Sequence, residues 1–186
     1  MGSQGLRLLG ISGSLRAESS NSRLLSAASA CMPQGVVFEV ADCLAALPHF
    51  NPDLDPAENS LVSAWISQVK AVDGLIISTP EYARGYPGSL KNAFDWLVQS
   101  DAHIDKPFMM LHASGRSAVA RDTLITVIET MSGIHMSDAS ITINLLGKAL
   151  SVDEMCAAHG AAITQSLAAF VAAIDVTDKA PGQAPN

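Results

Sequence analysis

Short apolar runs alternate along this chain with segments of helical period, and that alternation leaves few folds open. Runs of strand length lie at residues 6–12, 36–40, 73–79, 107–113 and 139–144. Between them, residues 21–32, 58–72, 88–98 and 117–131 repeat their apolar side chains every three to four positions. In 88–98, Leu90, Ala93, Phe94, Leu97 and Val98 mark one helical face; in 58–72, Leu61, Trp65 and Val69 do, beside Val62 and Ile66. Ser151 and Glu154 form a capping box that opens a last helix, with Ile163, Leu167, Phe170, Val171 and Ile174 facing inward. Residues 47–56 carry three prolines and read as a loop. The segment 73–79 is almost continuously apolar, as suits a parallel strand buried on both faces.

The order is βαβαβαβαβα, and β-α-β crossovers are right-handed in nearly all cases. The expected fold is therefore α/β: a three-layer, doubly wound, five-stranded parallel sheet with strand order 2-1-3-4-5. One domain is expected over residues 1–176, followed by a mobile tail at 177–186. In such sheets ligands sit beyond the carboxyl ends of the strands, where the strand order reverses. The loops after the first, third and fourth strands are then the places to look.

The first loop runs Gly13-Ser14-Leu15-Arg16-Ala17-Glu18-Ser19-Ser20-Asn21-Ser22 and leads from a strand into a helix. A helix N-terminus supplies free N–H groups and partial positive charge, which suit a phosphate. Ser14, Ser19, Ser20 and Ser22 add hydroxyls, Arg16 a forked cation, and Asn21 either a helix cap or a bond within the loop. The loop has neither the Gly-Lys-Ser/Thr of a nucleoside-triphosphate loop nor the G-x-G-x-x-G of the usual dinucleotide site, so a monophosphate fits best. A plain serine-rich turn with an N-cap is the alternative. The third loop holds Pro80, Tyr82, Tyr86 and two glycines, where backbone could approach a flat ring. Each tyrosine is either a ring-stacking group or a packed loop aromatic.

Gly13-Ser14-Leu15-Arg16-x-x-Ser19-x-Asn21, with Thr79-Pro80-Glu81-Tyr82 and Pro87-Gly88-x-Leu90-Lys91-Asn92-Ala93-x-Asp95-Trp96, resembles the NADPH-dependent FMN reductase family, which has a flavodoxin-like fold. The resemblance implies that Ser14, Arg16, Ser19, Ser20 and Asn21 hold the FMN phosphate. It implies that Pro80, Glu81, Tyr82 and Ala83 line the isoalloxazine, mainly through backbone N–H groups, and that Ser114 and Gly115 approach it from another side. Where the family often has Asn after Glu-Tyr, this chain has Ala83. The implied activity is hydride transfer from NADPH or NADH through FMN to a flavin, quinone or other small acceptor, with no catalytic side chain. A homodimer or homotetramer is implied too, with Asp95 and Trp96 at a subunit contact or the surface. Arg84 and Arg116 stand beside the expected site as partners for nicotinamide phosphates. A non-catalytic flavodoxin-like electron carrier and a flavin-free regulatory domain are the competing readings.

The net charge of -7 and the absence of any run of Lys or Arg argue against a nucleic-acid partner. The apolar runs fall short of the roughly 20 residues of a membrane span. Cys31, Cys43 and Cys156 are too widely spaced for a disulfide framework and point to a reducing, cytoplasmic compartment. Cys156 and His159 share a helix but are only two ligands, too few for a metal site. Gly10-Ile11-Ser12-Gly13-Ser14 misses the G-x-S-x-G of a serine hydrolase.

Overall fold

In a computed structural model, which describes residues 5–116, 118–145 and 147–177, β1 (Arg7–Ser12) sits between β2 (Val37–Val40) and β3 (Gly74–Ser78), and β3 pairs with β4 (Pro107–His112). All pairs are parallel; Leu8 faces Phe38 on one side and Gly74 on the other. The helices are α1 (Ser20–Ala30), α2 (Ser60–Lys70), α3 (Gly88–Leu97), α4 (Ala118–Thr130) and α5 (Val152–Thr177). Every residue of β3 and β4 is buried, as the unbroken apolar runs require of central parallel strands. The edge strand β2 leaves Val37 and Val40 exposed.

The order 2-1-3-4-5 holds, but the fifth position is shared by two short pieces. β5 (Ile134–His135) pairs with Pro107 and Phe108, and β6 (Ile141–Thr142) pairs with Leu111 and His112. A 3-10 turn (Ser137–Ala139) separates them, so the single strand expected at 139–144 is corrected to this split edge. At the break the Ser140 hydroxyl accepts from the Met110 N–H at 3.0 Å, so a side chain replaces the missing ladder carbonyl. Before β5, α4 ends in paired reverse bonds, Ser132 N–H to Glu129 O and Gly133 N–H to Ile128 O, both 2.9 Å. The left-handed residue at this stop is Ser132, at φ 66°, and not Gly133.

One helical layer packs Trp65, Phe94 and Trp96 on the sheet; the other packs α1 and α5 through Leu24, Ala28, Ile163 and Phe170. Leu61 and Val98, expected inside, are exposed, although Trp65, Val69 and Leu97 of the same faces are buried, and on α2 Val62 joins the buried stripe. Trp96 corrects a surface expectation. It is fully buried, its indole N–H donates to Pro48 O at 2.8 Å, and it meets Phe50 edge-on at 5.2 Å. Asn92 donates to the same carbonyl and accepts from the Phe50 N–H. The Asn92 and Trp96 side chains thus pin the proline-bearing loop 47–56 to α3.

The Ser151–Glu154 capping box forms, with the Glu154 N–H donating to Ser151 Oγ at 3.2 Å and the Ser151 N–H to Glu154 Oε2 at 2.8 Å. Among the described helices, α5 has the length and apolar composition of a membrane span. Its large residues Ile163, Leu167, Phe170 and Ile174 are buried in the core, however, and many of its outward positions are alanines. The tail expected at 177–186 lies, beyond Thr177, outside the described residues.

His112 ends β4 at 2 % exposure, and neither ring nitrogen finds a partner among the described residues. Burial pushes its pKa down to about 4; Arg121 adds to the shift and Asp122 opposes it. The unfolded chain takes up this proton near pH 6.5, whereas the folded chain resists it until about 4. Stability present above 6.5 is therefore lost as the pH falls through this window. His112 alone is expected to remove about 2 kcal/mol between pH 7 and pH 5. Urea unfolding of wild type and His112→Leu at both pH values measures it; an equal loss in both proteins refutes the assignment.

Candidate functional site

The carboxyl ends of β1, β3, β4 and β6 open into a cleft of about 570 Å³. That is within the range of small-ligand sites, at the reversal of strand order between β1 and β3. Ser14, Arg16, Ser19, Ser20, Asn21, Pro80, Glu81, Tyr82 and Ser114 line it. Ala83 and Gly115 belong to the same loops but do not reach the lining. Ser117, two positions after Gly115, lies outside the described residues.

The first loop is wired by its own serines. Ser12 and Ser22 share a hydroxyl–hydroxyl bond of 2.9 Å, and the Ser14 N–H donates to Ser12 Oγ at 3.3 Å. Ser19, and not Asn21, caps α1, accepting from the Asn21 and Ser22 N–H groups at 3.2 and 3.4 Å. Asn21 is 7 % exposed and accepts from the Ser78 hydroxyl at 3.0 Å, which ties the start of α1 to the end of β3. Among the described residues the Ser20 N–H has no partner, so this helix end still offers a donor to an anion. The loop needs a glycine at its start. A Cβ on Gly13 would stand 2.4 Å from Thr79 Oγ1 and 2.9 Å from Thr79 Cβ.

The third loop reverses at Tyr82-Ala83-Arg84-Gly85. Tyr82 and Gly85 exchange backbone bonds of 2.8 and 2.9 Å, and Ala83 and Arg84 both have positive φ, 49° and 67°. A two-residue turn with both central φ positive matches type I′, which favours Asn-Gly. Because the Tyr82 N–H is spent in this turn, the expectation that the loop meets a ring mainly through backbone N–H groups is corrected at that residue. The N–H groups of Glu81, Ala83 and Arg84 have no partner among the described residues. Alanine in the left-handed region costs roughly 1 kcal/mol or more, and Asn tolerates it better. Ala83→Asn is therefore expected to raise the melting temperature by about 1–3 °C and Ala83→Val to lower it. Calorimetry of the two variants tests the strain; a lower melting temperature for the Asn variant refutes it.

The two tyrosines part company. Tyr82 is 52 % exposed at the cleft, whereas Tyr86 packs against the core, where burial raises its phenol above the ordinary range and Lys91 opposes the shift. The Glu81 carboxylate makes a contact between loops. Its Oε2 accepts from the Ala120 N–H at 3.0 Å, in the first turn of α4. The third and fourth loops are thereby locked together.

Four residues of basic charge line this one cleft: Arg16, Arg23, Arg116 and Lys148. Arg23 and Lys148 were not anticipated. Arg23 bonds the exposed Glu18 at 3.0 Å while its buried Nε has no partner among the described residues. Lys148 sits with Leu145, Gly147 and Ala149 in the loop between β6 and α5. The split fifth strand hid that loop. The signal available in the sequence was the Gly147-Lys148 pair following an apolar segment. His49, His103 and His135 stay outside the lining, and among the described residues no three metal-ligating side chains cluster.

A 2-1-3-4-5 parallel sheet with a basic, serine-rich cleft at its reversal point defines a doubly wound α/β protein of the flavodoxin-like class. Residues 6–145 match the model of the NADPH-dependent FMN reductase family, and the chain belongs to that family. An NAD(P)H-dependent FMN reductase of Pseudomonas aeruginosa is 39 % identical over 127 residues, which is 64 % of this chain and 66 % of that protein. A quinone reductase of Escherichia coli is 33 % identical over 97 residues, 51 % of this chain and 52 % of its own. These matches span about half to two thirds of the length of the curated relatives. Among solved structures, FerB, a flavoenzyme NAD(P)H:(acceptor) oxidoreductase from Paracoccus denitrificans, superposes with a TM-score of 0.77 at 25 % identity. The superposition covers 91 % of this chain and 97 % of FerB.

Proposed function

We propose that this chain is an FMN-dependent oxidoreductase that passes hydride from NADPH or NADH to a flavin, a quinone or another small acceptor. The observation that carries the reading is electrostatic. The whole chain has a net charge of -7, yet four of its 11 basic residues line one cleft. Among the described residues their only lining counter-charges are Glu18, which bonds Arg23, and Glu81, which bonds the Ala120 N–H. A site of that kind selects a dianion against the field of the rest of the molecule.

Ser14, Arg16, Ser19, Ser20 and Asn21 would hold the FMN phosphate, with Arg23 free to turn from Glu18 toward it. Pro80, Glu81, Tyr82, Ala83, Ser114 and Gly115 would frame the ring. FMN, when bound, supplies the hydride chemistry. The protein's part is to bind, to orient and to present fixed N–H dipoles, that of Glu81 among them, where negative charge develops. Arg116 and Lys148, on the far loops, suit a second anionic ligand such as the nicotinamide nucleotide. None of these residues needs to act as nucleophile or general base. The names of the P. aeruginosa and E. coli relatives support this reaction class. We further propose a cytoplasmic homodimer or homotetramer with no nucleic-acid or membrane partner.

A visible spectrum of the FMN-loaded protein, followed by anaerobic addition of NADPH, tests the proposal. Bleaching within seconds is expected. A bound flavin that ignores both NADPH and NADH indicates an electron carrier, and a protein that takes up no FMN refutes both readings.

A further inference from the structure

We propose that Cys31 and Cys156 form a covalent modification site, at which an oxidant of the peroxide class links the end of α1 to α5 through a reversible disulfide. Their Sγ atoms lie 3.9 Å apart although the residues are 125 positions apart in sequence. Cys31 is the residue that closes α1, its N–H bonded to the carbonyls of Ala27 and Ala28 at 3.0 and 3.1 Å. Cys156 lies near the start of α5, and its Sγ also approaches Ala27 O at 3.9 Å. Both side chains are only partly buried, so a molecule the size of hydrogen peroxide can reach them. A disulfide needs the sulfurs at about 2.05 Å, and rotation about χ1 of either residue is the motion that closes such a gap. Burial, and after it the neighbouring Cys31 thiol, raises the Cys156 thiol above its ordinary range. The helices around the pair are packed through Leu24, Ala28 and Ile163, so the two thiols stay in register.

The chemistry balances without any other component. One cysteine sulfur attacks the peroxide; an S–O bond forms, the O–O bond breaks, and water leaves, giving a sulfenic acid. The second thiol attacks that sulfur; the S–S bond forms, the S–O bond breaks, and a second water leaves. Two thiols are oxidised and one peroxide is reduced. The bond closes a loop of more than a hundred residues and so restricts the unfolded chain. It also clamps the helix whose other end carries Ser19 and Ser20. This inference stands apart from the flavin reading, since neither cysteine lines the cleft.

The test treats the purified full chain with hydrogen peroxide, alkylates the remaining thiols and maps the peptides by mass. The expected result is a linked Cys31–Cys156 peptide that dithiothreitol releases, with Cys43, which packs in the opposite layer, still alkylated. The linked chain should also unfold at a higher urea concentration than the reduced one, a gain absent from Cys156→Ser treated in the same way. Sulfinic or sulfonic acids on Cys31 or Cys156 without the linked peptide overturn the proposal. So do three thiols that all remain alkylatable, a disulfide between chains, or a linked chain that unfolds no later than the reduced one.

Discussion

Arg16→Ala weakens FMN binding by about ten- to thirtyfold and leaves riboflavin binding within about twofold. A hydrogen bond to a charged partner contributes roughly 1.5–3 kcal/mol, and each 1.4 kcal/mol is tenfold in affinity. Arg16 is exposed, so solvent screening favours the low end of that range. The two ligands share the ring and differ in the phosphate, so their ratio isolates the contact in question. Titration of the apoprotein followed by flavin fluorescence measures both affinities. Arg84→Ala is the control: Arg84 sits at the tip of the Tyr82–Gly85 turn and does not line the cleft, so it should disturb the two ligands equally. If Arg16→Ala lowers FMN and riboflavin binding by the same factor, the loop is a serine-rich turn and the phosphate is held elsewhere.

The sequence made the fold legible where one pattern dominated. β3 and β4 are buried throughout, so their runs show no alternation, and the helices between them keep their period. The fifth strand is legible only in part: the piece Ile141–Thr142 lies within the run 139–144, but a two-residue piece such as Ile134–His135 carries no period, and Ser140 supplies by side chain what backbone supplies elsewhere in the ladder. The burial of Trp96 is illegible for a similar reason. Its partner is the Pro48 carbonyl, 48 residues away, and no local rule points to a hydrogen bond made by a loop.

The site divides along the same line. Ser14, Arg16, Ser19 and Asn21 were legible because one turn gathers them within eight residues. Arg23 lies two residues further along α1, where it reads as part of the helix, and Lys148 comes from the loop before α5; the fold brings both to the cleft. Glu81 stands in a loop that the sequence marks, while the bond its carboxylate makes to the Ala120 N–H belongs to tertiary structure. The role of Ala83 also depends on conformation: the residue was seen as a departure from Asn, but its positive φ shows what that departure costs.

Gly13 should tolerate substitution least of all the loop residues. Even a methyl group there would meet both the Cβ and the hydroxyl of Thr79, with Leu90 Cδ2 at 3.1 Å on the remaining side. Thr79 cannot yield easily, because it is 1 % exposed and precedes Pro80, whose carbonyl accepts its hydroxyl at 3.2 Å. Gly13 itself is fixed to the sheet by its N–H, which donates to Ser78 O at 2.8 Å. The clash must therefore push the loop outward, away from β3. Overpacking a well-filled interior costs roughly 1–3 kcal/mol, and Gly13→Val, with two further methyl groups, is expected at or above the upper end. Displacing the loop also separates Ser14 and Arg16 from the N-terminus of α1, so FMN affinity should fall by at least a hundredfold, whereas NADPH-dependent turnover at saturating FMN falls less. Urea unfolding gives the first quantity and flavin titration the second. The double variant Gly13→Ala with Thr79→Ser discriminates further: serine lacks the methyl but keeps the hydroxyl, which can rotate, so part of the stability lost in Gly13→Ala should return. A single Gly13→Val variant that folds as stably as wild type and binds FMN normally would mean that the turn does not need its close approach to β3, and the packing account of the cradle would fail with it.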